Sequence, residues 1–187
     1  MNDNKTGIPE NLDANSKLVF IIDVIKRYDN YIMSTNAKAS LIIAFNSLIL
    51  GTVLLKFGDI ISFYNSPGFR ILVGFLLVLI SISSLFSLFF VFRVVYPYFG
   101  SKIDDDNQKS SLVYFGSVSK ISGKEYLDHL EICSIQELIK DLAIQATIIA
   151  RGLNSKMLMM RHSIRAITFS LVFILVLVIL RTTTIFC

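Results

Sequence analysis

Three long apolar runs divide the chain, and the periodicity between them predicts helices almost throughout. Positions 71–92, "ILVGFLLVLISISSLFSLFFVF", hold 22 residues without a charge, enough helix to cross a hydrocarbon core of roughly 30 Å. The run at 39–55 holds 17 uncharged residues, and "AITFSLVFILVLVIL" at 166–180 holds 15. The last run reaches both interfaces if Arg165 and Arg181 snorkel outward. Ahead of the first run, Leu18, Ile21, Ile22, Ile25, Tyr28 and Ile32 form a helical stripe. Neither Pro nor Gly occurs from 11 to 50, so one helix is expected from 17 to 55, close to 60 Å at about 1.5 Å per residue.

The intervening segments carry stop and start signals. Positions 57–68 contain Gly58, Pro67 and Gly68 and read as a hairpin turn. Span two is expected to stop at Tyr96-Pro97. "SKIDDDNQKSS" (101–111) reads as a solvated loop, because it lacks the spaced ligands and glycine of a calcium-binding loop. Ser122–Glu125 and Ser134–Glu137 have capping-box spacing and open a short helix and a long one. In the long one, Leu138, Leu142, Gln145, Ile149, Leu153 and Met157 keep helical spacing through 135–180, with Gly152 the weak point.

The predicted fold is therefore an all-α membrane protein. It has three transmembrane helices, and the long first and last helices extend into a cytoplasmic helical bundle. The expected organisation is a mobile segment (1–16), a stalk helix (17–38), a transmembrane hairpin (39–96, with spans at 39–55 and 71–92), a cytoplasmic helical region (97–165), a third span (166–180) and an outer tail (181–187).

Composition and charge add an orientation. The 53% hydrophobic and 17% charged content, with a mean hydropathy of +0.64, exceeds what a soluble core of this size covers. Lys and Arg number five before span one and ten across 93–165, against two in the 56–70 loop and one in the tail. By the positive-inside rule the N-terminus is cytoplasmic and the loop lies outside. The first 16 residues lack the apolar stretch of a signal peptide, so span one is expected to act as its own uncleaved insertion signal. The net charge of +4 reflects this topology and does not call for nucleic acid. Cys133 and Cys187 fall on opposite sides and are expected unpaired, Cys133 as a small buried apolar residue.

Catalytic patterns are missing. There is no Gly-rich phosphate loop, GxSxG, HExxH or CxxC, and two histidines, His129 and His162, are too few for a multi-histidine metal site. No Arg precedes either His at ribonuclease spacing. A non-enzyme with neither cofactor nor metal is expected. The remaining polar set lies next to the spans: Asn36, Lys38 and Ser40 before the first; Arg151, Asn154, Lys156, Arg161 and Arg165 before the third. Two readings stay open for it, an anion site such as one for a nucleotide phosphate and interfacial cations on lipid headgroups. If the stalks pack together, Gln145 and Lys156 face Asn36 and Lys38. Asn46, inside span one, either bonds a neighbouring helix or lines a pore.

Three segments in order resemble a known family. "YDNYIMSTNAKASLIIAFNSLIL", "SLVYFGSVSKISGKEYLDHL" and "ELIKDLAIQATIIARGLNSKMLMMRHSIRAI" resemble the transmembrane effectors of pyrimidine-cyclase (Pycsar) antiphage systems, over about 18–180. Asn36 and Met157 depart from the pattern, where the family has an acidic and an aromatic residue. The resemblance implies an antiphage effector in the inner membrane, activated by a cyclic mononucleotide (cyclic CMP or cyclic UMP) from a partner cyclase. It implies loss of membrane integrity and abortive infection. Asn36, Lys38, Arg151, Asn154 and Lys156 are then the expected nucleotide-binding residues. The stalk stripes and the small residues of the spans suit a homo-oligomer. An accessory pore of an RNA-targeting CRISPR system, or a scaffold recruiting a soluble partner, would share this helical plan.

Overall fold

Asp13 opens the first helix, accepting a hydrogen bond from the Ser16 backbone N–H at 3.2 Å. The bonds from Ser16 hold its carboxyl below the usual carboxylate range. The computed structural model describes residues 13–96 and 111–186. Most of the 1–16 segment, the three-aspartate loop apart from Ser111, and Cys187 lie outside the described residues. Those described form five helices and no strand: α1 (Ala14–Ser62), α2 (Pro67–Val95), α3 (Phe115–Val118), α4 (Gly123–Ile132) and α5 (Ile135–Phe186). α1, α2 and α5 are long and apolar enough to cross a membrane, as the three apolar runs predict.

The helices overrun two of the expected boundaries. α1 continues through Gly58 to Ser62, where the pattern predicts an end at Leu55 and a turn from 57. Glycine in a helix costs about 1 kcal/mol. Here Ile60 and Ile61 just beyond it pack on the cluster of Val53, Tyr64, Val73, Leu77 and Ile80, which outweighs that cost. The turn shrinks to 63–66, and Pro67 occupies the first turn of α2, where its missing N–H is harmless. Arg70 Nε donates to the Tyr64 carbonyl at 2.6 Å and closes the turn. α5 likewise passes through Gly152 and beyond Leu180 to Phe186. Both capping serines act as expected: Ser122 Oγ accepts from Glu125 N–H at 3.2 Å, and Ser134 and Glu137 cap each other reciprocally.

The chain divides into two units, 32–97 with 154–187 and 1–31 with 98–153. In the first, α1, α2 and α5 pack around a seam on α2 at positions 73, 77, 80, 84, 87, 91 and 94, with Leu76 also buried beside it. Spacings of four and three mark helices packed at a shallow angle. Along that seam an apolar cluster lies at each end, around Leu77 near the α1–α2 turn and around Ala39, Val91, Val94 and Met160 at the other end. Asn46, Ser84, Ser87, Ser163 and Ser170 lie between them, all fully buried.

In the second unit, Ser111 organises the chain before α3. Its hydroxyl accepts from Tyr114 N–H at 2.9 Å and from Gln145 Nε2 at 3.4 Å. Asp141 Oδ2 accepts from Leu112 N–H at 2.8 Å, and Tyr126 Oη donates to the Leu112 carbonyl at 3.0 Å. The Tyr114 ring packs tightly on Gly116, where a Cβ would stand 2.5 Å from it and oblige the ring to move.

Candidate functional site

Among the candidate residues, Lys156 and Asn36 meet. Lys156 extends from α5 and donates to Asn36 Oδ1 on α1 at 3.2 Å. The same ammonium donates to the Val94 carbonyl, in the last turn of α2. The last four carbonyls of a helix lack intrahelical partners and carry its negative dipole end, which suits a cation. One ammonium thus ties three membrane helices together at the end opposite the α1–α2 turn.

The charge on that ammonium is only partly compensated. Asn36 and Val94 offer neutral oxygens. Among the described residues the ion pairs are Lys26–Asp23 and Lys56–Asp59, so no carboxylate pairs with Lys156. Burial pushes its pKa below the usual lysine range, because a charge removed from water without a counter-charge is disfavoured. A half-buried cation held by neutral groups is chemically suited to receive an anion.

The other candidates lie elsewhere. Lys38 is exposed; two residues past Asn36, it is turned by about 200° on a helix of 3.6 residues per turn. Arg151 and Asn154 are exposed on α5. Gln145 donates to Ser111 Oγ.

Two arrangements go beyond the sequence reading, which foresees the interhelical bond of Asn46 as one of two roles. The first is the polar belt. Asn46 Nδ2 donates to Ser87 Oγ at 3.0 Å and to the Ile42 carbonyl at 2.9 Å. Ser87 and Ser163 exchange bonds across α2 and α5, each hydroxyl donating to the other's carbonyl at 3.0 Å. Ser84 and Ser170 hydroxyls meet at 3.2 Å, and Ser83 Oγ donates to the Ala166 carbonyl at 2.6 Å. Close-packed membrane helices use small hydroxyl residues in this way. The Ser84–Ser87 and Ser163–Ser170 spacings were the available signal. Asn46 Oδ1 alone among the described buried side-chain polar atoms has no partner.

The second is a cleft of about 400 Å³ in the 1–31/98–153 unit, lined by Ser111, His129, Cys133, Lys140 and Asp141 among others. Cys133 is half-buried on its wall, which corrects the expectation of a buried apolar cysteine. α4 leaves no core for it to enter, since none of its ten residues is buried. Glu137, beside the cleft, has its carboxyl pKa lowered by the bonds from Ser134. No group of three metal-ligating side chains occurs among the described residues.

Comparison with known proteins agrees with this plan. The Pycsar effector protein domain family, PycTM, matches residues 20–182. A curated relative, the Pycsar effector protein EcPycTM of Escherichia coli, is 28% identical over 169 residues, covering 88% of this chain and 90% of the relative. No solved structure matches.

Proposed function

Given that this chain belongs to the Pycsar effector protein family and is a transmembrane effector of antiphage defence, we propose that a cyclic mononucleotide, cyclic CMP or cyclic UMP from a partner cyclase, switches it on. Switched on, it impairs the inner membrane and ends the infection with the host cell. It acts as a non-enzymatic homo-oligomer, with its N-terminus cytoplasmic.

The observation that supports this reading is Lys156, a half-buried ammonium without a carboxylate partner that links α1, α2 and α5. A cyclic phosphate carries one negative charge and charge-assisted acceptors. Taking the ammonium, it removes the restraint on Asn36 and on the α2 terminus, and the membrane bundle loosens at that end. Asn154 offers both donor and acceptor to a base edge. Exposed Lys38 and Arg151 raise the local concentration of the anion.

The test is dye leakage from liposomes carrying the purified protein, with calorimetry in parallel. Cyclic CMP or cyclic UMP should bind and cause leakage. Lys156→Ala should weaken binding by about ten- to a hundredfold, the worth of a charge-assisted contact, with assembly intact. If neither nucleotide binds the wild type, or Lys156→Ala binds normally, the assignment fails.

A further inference from the structure

Near the α1–α2 turn the membrane unit has a groove of about 620 Å³ that the function above does not use. Its lining is largely apolar, with Ile49, Val53, Leu77, Ile174 and Leu177 among the residues, and Lys56, Asp59 and Arg181 are its charged members. We propose that this groove seats an acyl chain of an anionic glycerophospholipid, with the headgroup phosphate on Arg181 and Lys56.

Three observations carry it. The first is charge. Lys56 is paired with Asp59 at 2.9 Å, whereas the Arg181 guanidinium lies over the Phe63 ring, 5.1 Å from its centroid, with no carboxylate partner among the described residues. The groove thus carries one uncompensated cation, set over an aromatic face, and a guanidinium is a fitting donor to a phosphate. The second is depth. From Leu48 to Asp59, which holds the Lys56 ammonium, α1 rises about 16 Å, close to the roughly 15 Å of hydrocarbon in one leaflet. An acyl chain lying along α1 therefore places its headgroup between the Lys56 ammonium and Arg181, which lies over the Phe63 ring one turn farther on. The third disfavours a second copy of this chain as occupant. Every copy carries Lys56, Arg70 and Arg181 against Asp59 near this end, so a copy docked here sets like charges together. An anionic lipid neutralises them.

Native mass spectrometry of the full-length protein, loaded in mild detergent with dioleoyl phosphatidylglycerol or dioleoyl phosphatidylcholine, tests it. Phosphatidylglycerol should be retained and should raise the thermal midpoint; phosphatidylcholine should do neither. Arg181→Gln should cut retention by about tenfold, as expected for a lost charge-assisted contact. Val178→Phe, at the groove wall, should displace the lipid while the protein stays assembled. Equal retention of both lipids, or full retention by Arg181→Gln, overturns the proposal. So does a groove filled by a second copy, seen as an oligomer that Val178→Phe or Arg181→Gln breaks apart.

Discussion

Lys156 combines three properties that a surface lysine lacks: a helix terminus to cap, a neutral amide partner and a lowered pKa. Its folded pKa lies below the unfolded one, so below that value the buried charge is a standing cost. That cost is relieved as pH rises through the folded pKa toward the usual lysine range. The neutral amine still has donors for Asn36 and Val94, but it cannot hold a phosphate by charge. Nucleotide-triggered leakage should therefore fade at a lower pH than an ordinary lysine would dictate, while thermal stability relative to Lys156→Met improves over the same window. A pH series of both measurements checks this. Glu137 behaves oppositely. Its depressed pKa stabilises the start of α5 above the ordinary carboxylate range, and that support is lost as pH falls through the lowered value. Faster amide exchange at Ser134 under acid, absent in a Glu137→Gln comparison, is the expected sign.

Between helices, the belt of hydroxyls holds α2 to α5. Interhelical hydrogen bonds in membranes contribute about 0.6 kcal/mol on average and at most about 1.7. Ser87 takes part in several at once, accepting from Asn46 and exchanging with Ser163. Ser84 has one such partner, Ser170. Ser87→Ala should cost about 1–2 kcal/mol and Ser84→Ala about half a kcal/mol, read by reversible unfolding in detergent. Asn46→Leu should be milder than Ser87→Ala, because it also removes the unpartnered Oδ1. If Asn46→Leu is the worst of the three, Asn46 does more than pack.

Across the whole molecule, the Lys and Arg distribution sets the expected orientation. A membrane-impermeant thiol reagent applied outside should label a cysteine placed at Asn65 but not one at Lys124, with the native cysteines replaced. The opposite pattern would reverse the topology. Large apolar side chains also stand exposed outside the apolar runs, including Phe20 on α1 and Leu127 and Ile132 on α4. Water does not favour such surface, and the homo-oligomer proposed above would cover it. Light scattering in mild detergent should therefore report an oligomer; a monodisperse monomer would leave those residues unexplained.

Helix identity was legible in the sequence because its causes are local. Apolar run length set the three spans, serine-to-glutamate spacing opened α4 and α5, and Pro67 began α2. The ends of α1 and α5 were not legible, because packing of Ile60 and Ile61 carries α1 past Gly58, and a single sequence does not say what lies opposite. The same holds for the site. Asn36, Lys38 and Lys156 looked alike as polar groups beside spans. Only the packed helices decided that Asn36 and Lys156 meet over the end of α2, while Lys38 turns outward. Periodicity assigns a residue to a face of its own helix. Which faces meet is decided by how side chains from distant segments fit together, as with Ser87 and Ser163, 76 positions apart and bonded in the core.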